Sequence, residues 1–270
     1  MASRCLSTVR YNGPMLLEMA SFTVRRSGGP VIGPVDLAVD AGEVLLVLGD
    51  SGAGKTTLLE GILGLGPLLR QGRCQLGGQD LVDDPRALRA ARGKRMGYLP
   101  QGPWSSWHPS LSVGHQLADV VVAQRGQGRR AAWKTATELL TAVGCPVPQA
   151  VMVALPGELS GGLAQRAAIA AALAGEPELL VADEPTSALD TITRQAVGTT
   201  LLGLAAAGLA LVIATHDVGL AIHSGGSVLV LYGGQIQERG PARDVLRRPS
   251  SPVTQELVAA WRKVHGDLGG

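Results

Sequence analysis

The chain has 270 residues, a formal net charge of +2, 46% hydrophobic and 17% charged residues, and a mean hydropathy of +0.20. That length supports a core without covalent staples, that composition excludes a disordered chain, and basic pairs scattered at Arg25-Arg26, Arg129-Arg130 and Arg247-Arg248 exclude a basic stripe and argue against a nucleic-acid partner. Three cysteines, Cys5, Cys74 and Cys145, have neither C-x-x-C spacing nor a histidine in ligand register, which argues against a disulfide or zinc site and fits a reducing cytoplasm.

Residues 1–14, MASRCLSTVRYNGP, are polar and lack the apolar stretch of a signal peptide. Leu16 to Val24 and Val35 to Asp40 alternate in β fashion, with turn residues RRSGGP and AGE after them, so a small antiparallel layer is expected. Three denser apolar runs follow along the chain: Val44 to Gly49, Leu179 to Asp183 and Leu209 to Thr215. They do not alternate, which predicts parallel strands buried on both faces. Each stops at polar residues, and ligands of open α/β sheets bind at the carboxyl ends of strands, so the three ends are expected to converge on one site.

Between the first two runs, about Leu111 to Gly157 is helical in pattern and reads as an inserted subdomain. Gln195 to Thr215 is uncharged and of membrane-spanning length, but its three glycines and three threonines divide it at Gly208 into a buried helix and a strand. After Gly240 the pattern predicts two short helices around a Pro/Ser turn.

The chemistry sits at the strand ends. GDSGAGKTT, comprising Gly49, Asp50, Ser51, Gly52, Ala53, Gly54, Lys55, Thr56 and Thr57, follows a β-run and precedes an apolar helical stretch, the context that marks a phosphate-binding P-loop. Its glycines let backbone N–H groups turn toward one point, and the helix N-terminus adds about half a positive charge. Lys55 would reach the β- and γ-phosphates and Thr56 would hold Mg²⁺. Asp183, ending LLVAD, is placed to contact Mg²⁺ directly or through water, and the adjacent Glu184 to orient a water for in-line attack. His216 ends its own run, positioned for the γ-phosphate, and Gln101 follows the short run RMGYLP, where its amide could reach Mg²⁺ or the water. Trp104 and Trp107, in the loop after Gln101, could fill a nearby core or anchor a partner protein.

LSGGLAQR, Leu159 to Arg166, opens a helix with two glycines, each costing about 1 kcal/mol relative to alanine in a helix interior. With the other motifs in place the chain resembles the ATP-binding cassette (ABC) ATPases over nearly its whole length. GDSGAGKTT looks like their Walker A, Gln101 their Q-loop, LSGGLAQR their signature, LLVADE their Walker B, SALD at Ser187 to Asp190 their D-loop, and His216 their switch histidine. The resemblance implies an α/β P-loop NTPase (RecA-like) parallel-sheet core with an antiparallel β subdomain and a helical subdomain at about 111–165. One cassette would span 15–250, with a short tail over 251–270. It also implies ATP and Mg²⁺, and a head-to-tail dimer with a second, paralogous or identical, ABC subunit. Each ATP would lie between one P-loop and the other chain's Ser160, Gly161 and Gly162, which offer a hydroxyl and bare N–H groups.

The implied catalytic residues are Glu184, His216 and Gln101. The implied setting is the cytoplasmic face of the membrane, on two transmembrane permease subunits served indirectly by a solute-binding protein. Within the family, residues 61–81, 101–117 and 247–260 look like the nickel/oligopeptide/dipeptide importers, and the short tail looks most like the nickel type. Nickel or a metal chelate is therefore the expected cargo, with a di- or oligopeptide as the alternative and a soluble non-transport ABC ATPase as the remaining one. Where the family stacks an aromatic residue on adenine, this chain has Arg25 or Arg26, while Phe22 falls at a core position.

Overall fold

The structure is a computed structural model that describes residues 15–187 and 189–265, so the readings made on residues 1–14, Cys5 included, lie outside the described residues. Described elements run in the order β1 (Leu17–Arg26), β2 (Val31–Val39), β3 (Val44–Leu48), α1 (Lys55–Leu63), β4 (Leu68–Leu76), β5 (Gln79–Asp80) and α2 (Pro85–Ala91). Next come β6 (Met96–Leu99), α3 (Val113–Arg125), α4 (Arg129–Ala142), α5 (Pro148–Val153), α6 (Gly161–Ala172), β7 (Leu179–Asp183) and α7 (Thr191–Ala206). The chain continues through β8 (Ala210–Thr215), α8 (Val218–Ser224), β9 (Ser227–Tyr232), β10 (Gln235–Pro241), α9 (Ala242–Arg247) and α10 (Pro252–His265). These fall into two units, one of residues 15–89 and 210–265 and the other of residues 90–209.

In the first unit, β1 pairs antiparallel with β2 and β4 in a sheet of order β2-β1-β4-β5. The alternation read from residues 16–24 is realised as Leu17, Met19, Phe22 and Val24 buried on one face. The same unit holds strands in the order β10-β9-β3-β8, with β3 parallel to both β8 and β9. Every residue of β3 and β8 is buried, as strands covered on both faces require. In the second unit β6 and β7 pair in parallel, and α6 packs against β6, α3, α4 and α7.

The long uncharged run divides where its glycine predicted. α7 ends at Ala206, Gly208 turns the chain at φ 108° and β8 begins at Ala210. No helix among the described residues is long and apolar enough to cross a membrane.

Other features were not anticipated. β1 runs through Arg25 and Arg26, which pair with Leu69 and Leu68, so the expected turn is confined to the residues after them. β4 and the β9–β10 hairpin went unread, and α10 is a 14-residue helix rather than a short one. Its start is held by Glu238, which accepts from the N–H groups of Ser250 and Ser251 and from the Ser250 hydroxyl. Burial raises the Glu238 pKa, but those donors outweigh it and leave the carboxyl below its usual range.

Candidate nucleotide site

Two sets of candidate residues stand at strand ends, one in each unit. In the first unit, Leu48 of β3 pairs in register with Thr215 of β8, so the loop from Gly49 and the residue His216 leave neighbouring parallel strands at the same level. His216 is exposed just beyond the buried Thr215. A tight turn fixes it: the Thr215 hydroxyl accepts from the Asp217 N–H at 3.0 Å, and the Asp217 carboxylate caps α8 by accepting from the Leu220 N–H.

The P-loop closes over its own lysine. Lys55, 7% exposed, donates from Nζ to the carbonyls of Gly49 at 2.7 Å and Asp50 at 3.1 Å, holding the ammonium inside the curl of the loop. Gly49 and Gly54 have φ of 153° and 107°, and a methyl would press on fixed backbone at Gly49 and on a side-chain tip at Gly54. On Gly49 it would lie 2.3 Å from the Leu231 carbonyl oxygen, and on Gly54 2.4 Å from Ile32 Cδ1. The glycines thus serve the fold as well as the ligand: the loop lies at backbone contact with the β9–β10 hairpin. Gly234 donates to the Ala53 carbonyl at 3.0 Å and accepts from the Gly33 N–H at 2.9 Å. The Gly233-Gly234 pair after the apolar run Ser227–Tyr232 signalled a turn that sequence reading passed over, though nothing local named the P-loop as its neighbour.

In the second unit, Leu99 of β6 pairs with Ala182 of β7, which brings Gln101 and the pair Asp183-Glu184 to adjacent strand ends. Asp183 is 1% exposed, a carboxylate buried at the end of a fully buried strand. Glu184 adopts φ 47°, a left-handed conformation that costs a non-glycine residue about 1–2 kcal/mol. Its carbonyl accepts from both the N–H and the hydroxyl of Ser187, so a turn at the start of SALD holds the strained residue in place. Gln101 is exposed, and its carbonyl accepts from the Ser105 hydroxyl at 3.2 Å.

The signature segment lies in the same unit. Ser160 caps α6, its hydroxyl accepting from the Leu163 N–H at 3.4 Å, as expected of a serine at a helix start. The two glycines have a second, intramolecular reason that sequence reading missed. A methyl on Gly162 would lie 2.5 Å from Thr193 Cγ2, and one on Gly161 would lie 3.3 Å from Leu189 Cδ2 and 3.4 Å from Trp104 Cη2. Thr193 belongs to the first turn of α7, whose cap Asp190 is ionised more readily than usual. The Thr193 hydroxyl and then its N–H stabilise that carboxylate. At the far end of the motif, Arg166 donates to the carbonyls of Val143 and Gly144, at the end of α4. The two tryptophans part company: Trp107 is buried and Trp104 is 43% exposed. Arg26, a candidate for the adenine face, forms an ion pair with Glu60 of α1 while its side chain stays 54% exposed, and Arg25 beside it is exposed as well.

These donor sets fit a nucleotide with Mg²⁺. Among the described residues there is no cluster of three His, Cys, Asp or Glu side chains to hold a metal alone. The threonine hydroxyl of the first unit and the amide and buried carboxylate of the second are oxygen donors of the type magnesium takes beside phosphate and water.

Residues 32–187 match the sequence profile of the ABC transporter family. Relatives include the oligopeptide transport ATP-binding protein OppD of Bacillus subtilis (strain 168), 35% identical over 91% of this chain and 71% of that protein. The dipeptide transport ATP-binding protein DppD of Haemophilus influenzae is 36% identical over 83% of this chain and 69% of its own length. Among solved structures, a dimeric post-hydrolysis state of the ATP-binding cassette MJ0796 bound to ADP and Pi aligns with a TM-score of 0.73. It is 28% identical and covers 84% of this chain and 99% of that one. CbiO1 of Clostridium perfringens, part of the cbiONQ transporter complex, shares the fold at a TM-score of 0.75 and 22% identity over 93% and 95% of the two chains. The chain belongs to the ABC transporter family, as its ATP-binding, ATP-hydrolysing subunit type.

Proposed function

We propose that this chain energises import of di- or oligopeptides through separate permease subunits. The observation that carries the cargo is the naming of its relatives: proteins 35–36% identical over 83–94% of the chain are named as oligopeptide or dipeptide transport ATP-binding proteins. Peptide therefore replaces the nickel or metal chelate expected from the short tail. Residues 15–250 act as one cassette with its helical segment at about 111–165.

In this reading Gly49 to Thr57 cradle the ATP phosphates, with Lys55 swinging from the carbonyls of Gly49 and Asp50 onto them. Thr56, Asp183 and Gln101 hold Mg²⁺, which when bound neutralises phosphate oxygens. Glu184 accepts a hydrogen bond from the attacking water, and its strained backbone aims the carboxylate before the water arrives. His216 donates to the γ-phosphate. Ser160, Gly161 and Gly162 face the γ-phosphate of a second cassette paired head to tail, and the pair works against the membrane's cytoplasmic face. The test is transport in the source cell: deleting this chain should abolish uptake of a labelled tripeptide and leave ⁶³Ni²⁺ accumulation unchanged. Lost nickel uptake with normal peptide uptake would restore the nickel reading.

A further inference from the structure

We infer that Trp104 is a positioning residue for ATP hydrolysis, its indole edge standing beside Gly161 at the start of α6. The loop between β6 and α3 is braced from within: Ser105 Oγ donates to the Gly102 carbonyl at 2.7 Å and the Trp107 N–H to the Trp104 carbonyl at 3.2 Å. Trp107 buries its indole as the loop's anchor, whereas Trp104 sends its ring to the surface with only the far edge, Cη2, at α6. The ring tip and Leu189 Cδ2 lie 3.4 and 3.3 Å from where a Cβ of residue 161 would stand, and Thr193 Cγ2 lies 2.5 Å from where one of residue 162 would. The first two residues of α6 thus have no side chains of their own to fix them. Besides the Ser160 cap, their neighbours are the Gln101 loop on one side and the segment after Glu184 on the other.

This has a functional consequence because α6 begins at Ser160, whose hydroxyl and following N–H groups are proposed to meet a partner's γ-phosphate. A shift of about 1 Å in such a group costs up to about 100-fold in rate. Loss of the indole leaves Leu189, Thr193 and the Ser160 cap in place, so α6 stays folded but loses its neighbour on the Gln101-loop side. Trp104 also ties the loop carrying Gln101 to the signature, so displacement of one displaces the other. The inference rests on the head-to-tail reading of Ser160 and not on the nature of the cargo.

Steady-state ATP turnover of the purified chain separates the two. Ser160→Arg should abolish turnover; if it does not, the head-to-tail reading fails. Given that result, Trp104→Ala should lower kcat about tenfold with KM for ATP within about twofold and an unchanged melting temperature. Unchanged kcat, or a fall matched by an equal rise in KM, would overturn the role of Trp104. A second readout uses 5-fluorotryptophan ¹⁹F NMR, with the Trp104 resonance assigned by its loss in Trp104→Phe. ATP added to the Glu184→Gln chain should shift that resonance, and the shift should vanish when Ser160→Arg is added. A resonance indifferent to ATP would overturn the inference, because a merely structural tryptophan behaves that way.

Discussion

Replacing Gly162 by alanine puts a methyl group where Thr193 already stands. The two carbons would be 2.5 Å apart, closer than any tolerated contact, and Thr193 cannot simply turn away because its hydroxyl and N–H both serve the Asp190 cap of α7. Alanine gains up to about 1 kcal/mol of helix propensity over glycine, while forcing a methyl into a packed contact costs about 1–3 kcal/mol. The single variant should therefore be less stable by about 0–2 kcal/mol, contrary to what helix propensity alone dictates. Thr193→Ser removes the offending methyl and keeps the hydroxyl on Asp190. In that background Gly162→Ala should stabilise by up to about 1 kcal/mol, giving a coupling of about 1–3 kcal/mol between the two positions. Urea unfolding followed by circular dichroism, on all four members of the cycle, measures it. If Gly162→Ala alone raises the midpoint as much as it does beside Thr193→Ser, the contact does not govern the choice of glycine and the reasoning is refuted.

Three further outcomes follow from the same structure. The Asp190 carboxyl is lowered by the Thr193 hydroxyl and N–H, so its stabilisation is complete above the ordinary value of 3.8 and is lost as pH falls through the lower folded value. Asp190→Asn, which still caps, should flatten the unfolding midpoint in that acid range, and an unchanged acid slope would count against the cap. Cys74, fully buried in β4, has its thiol pushed up to about 12 by burial. Stability should fall as pH rises above 9, by about 1.4 kcal/mol per unit, and Cys74→Ala should remove that slope. Arg166→Met should destabilise the second unit by about 1.5–3 kcal/mol through loss of its bonds to Val143 and Gly144, with Arg166→Lys recovering part of it in the same urea titration.

What was legible in the chain was whatever rests on local pattern. Val44 to Leu48 and Ala210 to Thr215 announced buried parallel strands because nothing polar interrupts them, and Gly208 announced the break between α7 and β8. The glycines of GDSGAGKTT and the serine of LSGGLAQR could be given roles because cradling a phosphate and capping a helix are tasks of neighbouring residues. The second reason for Gly162 was hidden because Thr193 lies 31 positions later, and no local rule pairs them. The brace from Gly234 to the P-loop was hidden for the same reason. Trp104 and Trp107 differ in burial although the sequence offers both in one polar loop; only the folded loop decides which indole points inward. The ion pair of Arg26 with Glu60 was hidden because Glu60 of α1 lies 34 positions along the chain, and it leaves the Arg26 side chain more than half exposed. The cargo was not legible, because the motifs the chain carries concern nucleotide and none holds chemistry for a transported solute.

The central claim is that ATP is hydrolysed between the Lys55 loop of one cassette and the Ser160 segment of another. Its direct test is complementation in the chain purified alone, where a second copy is the only partner on offer. Lys55→Ala and Ser160→Arg should each be inactive by itself. Mixed in equal amounts, they should recover about a quarter of the unmodified turnover, since half of randomly assorted dimers are mixed and each of those holds one intact site of two. A mixture no more active than its components would contradict the account.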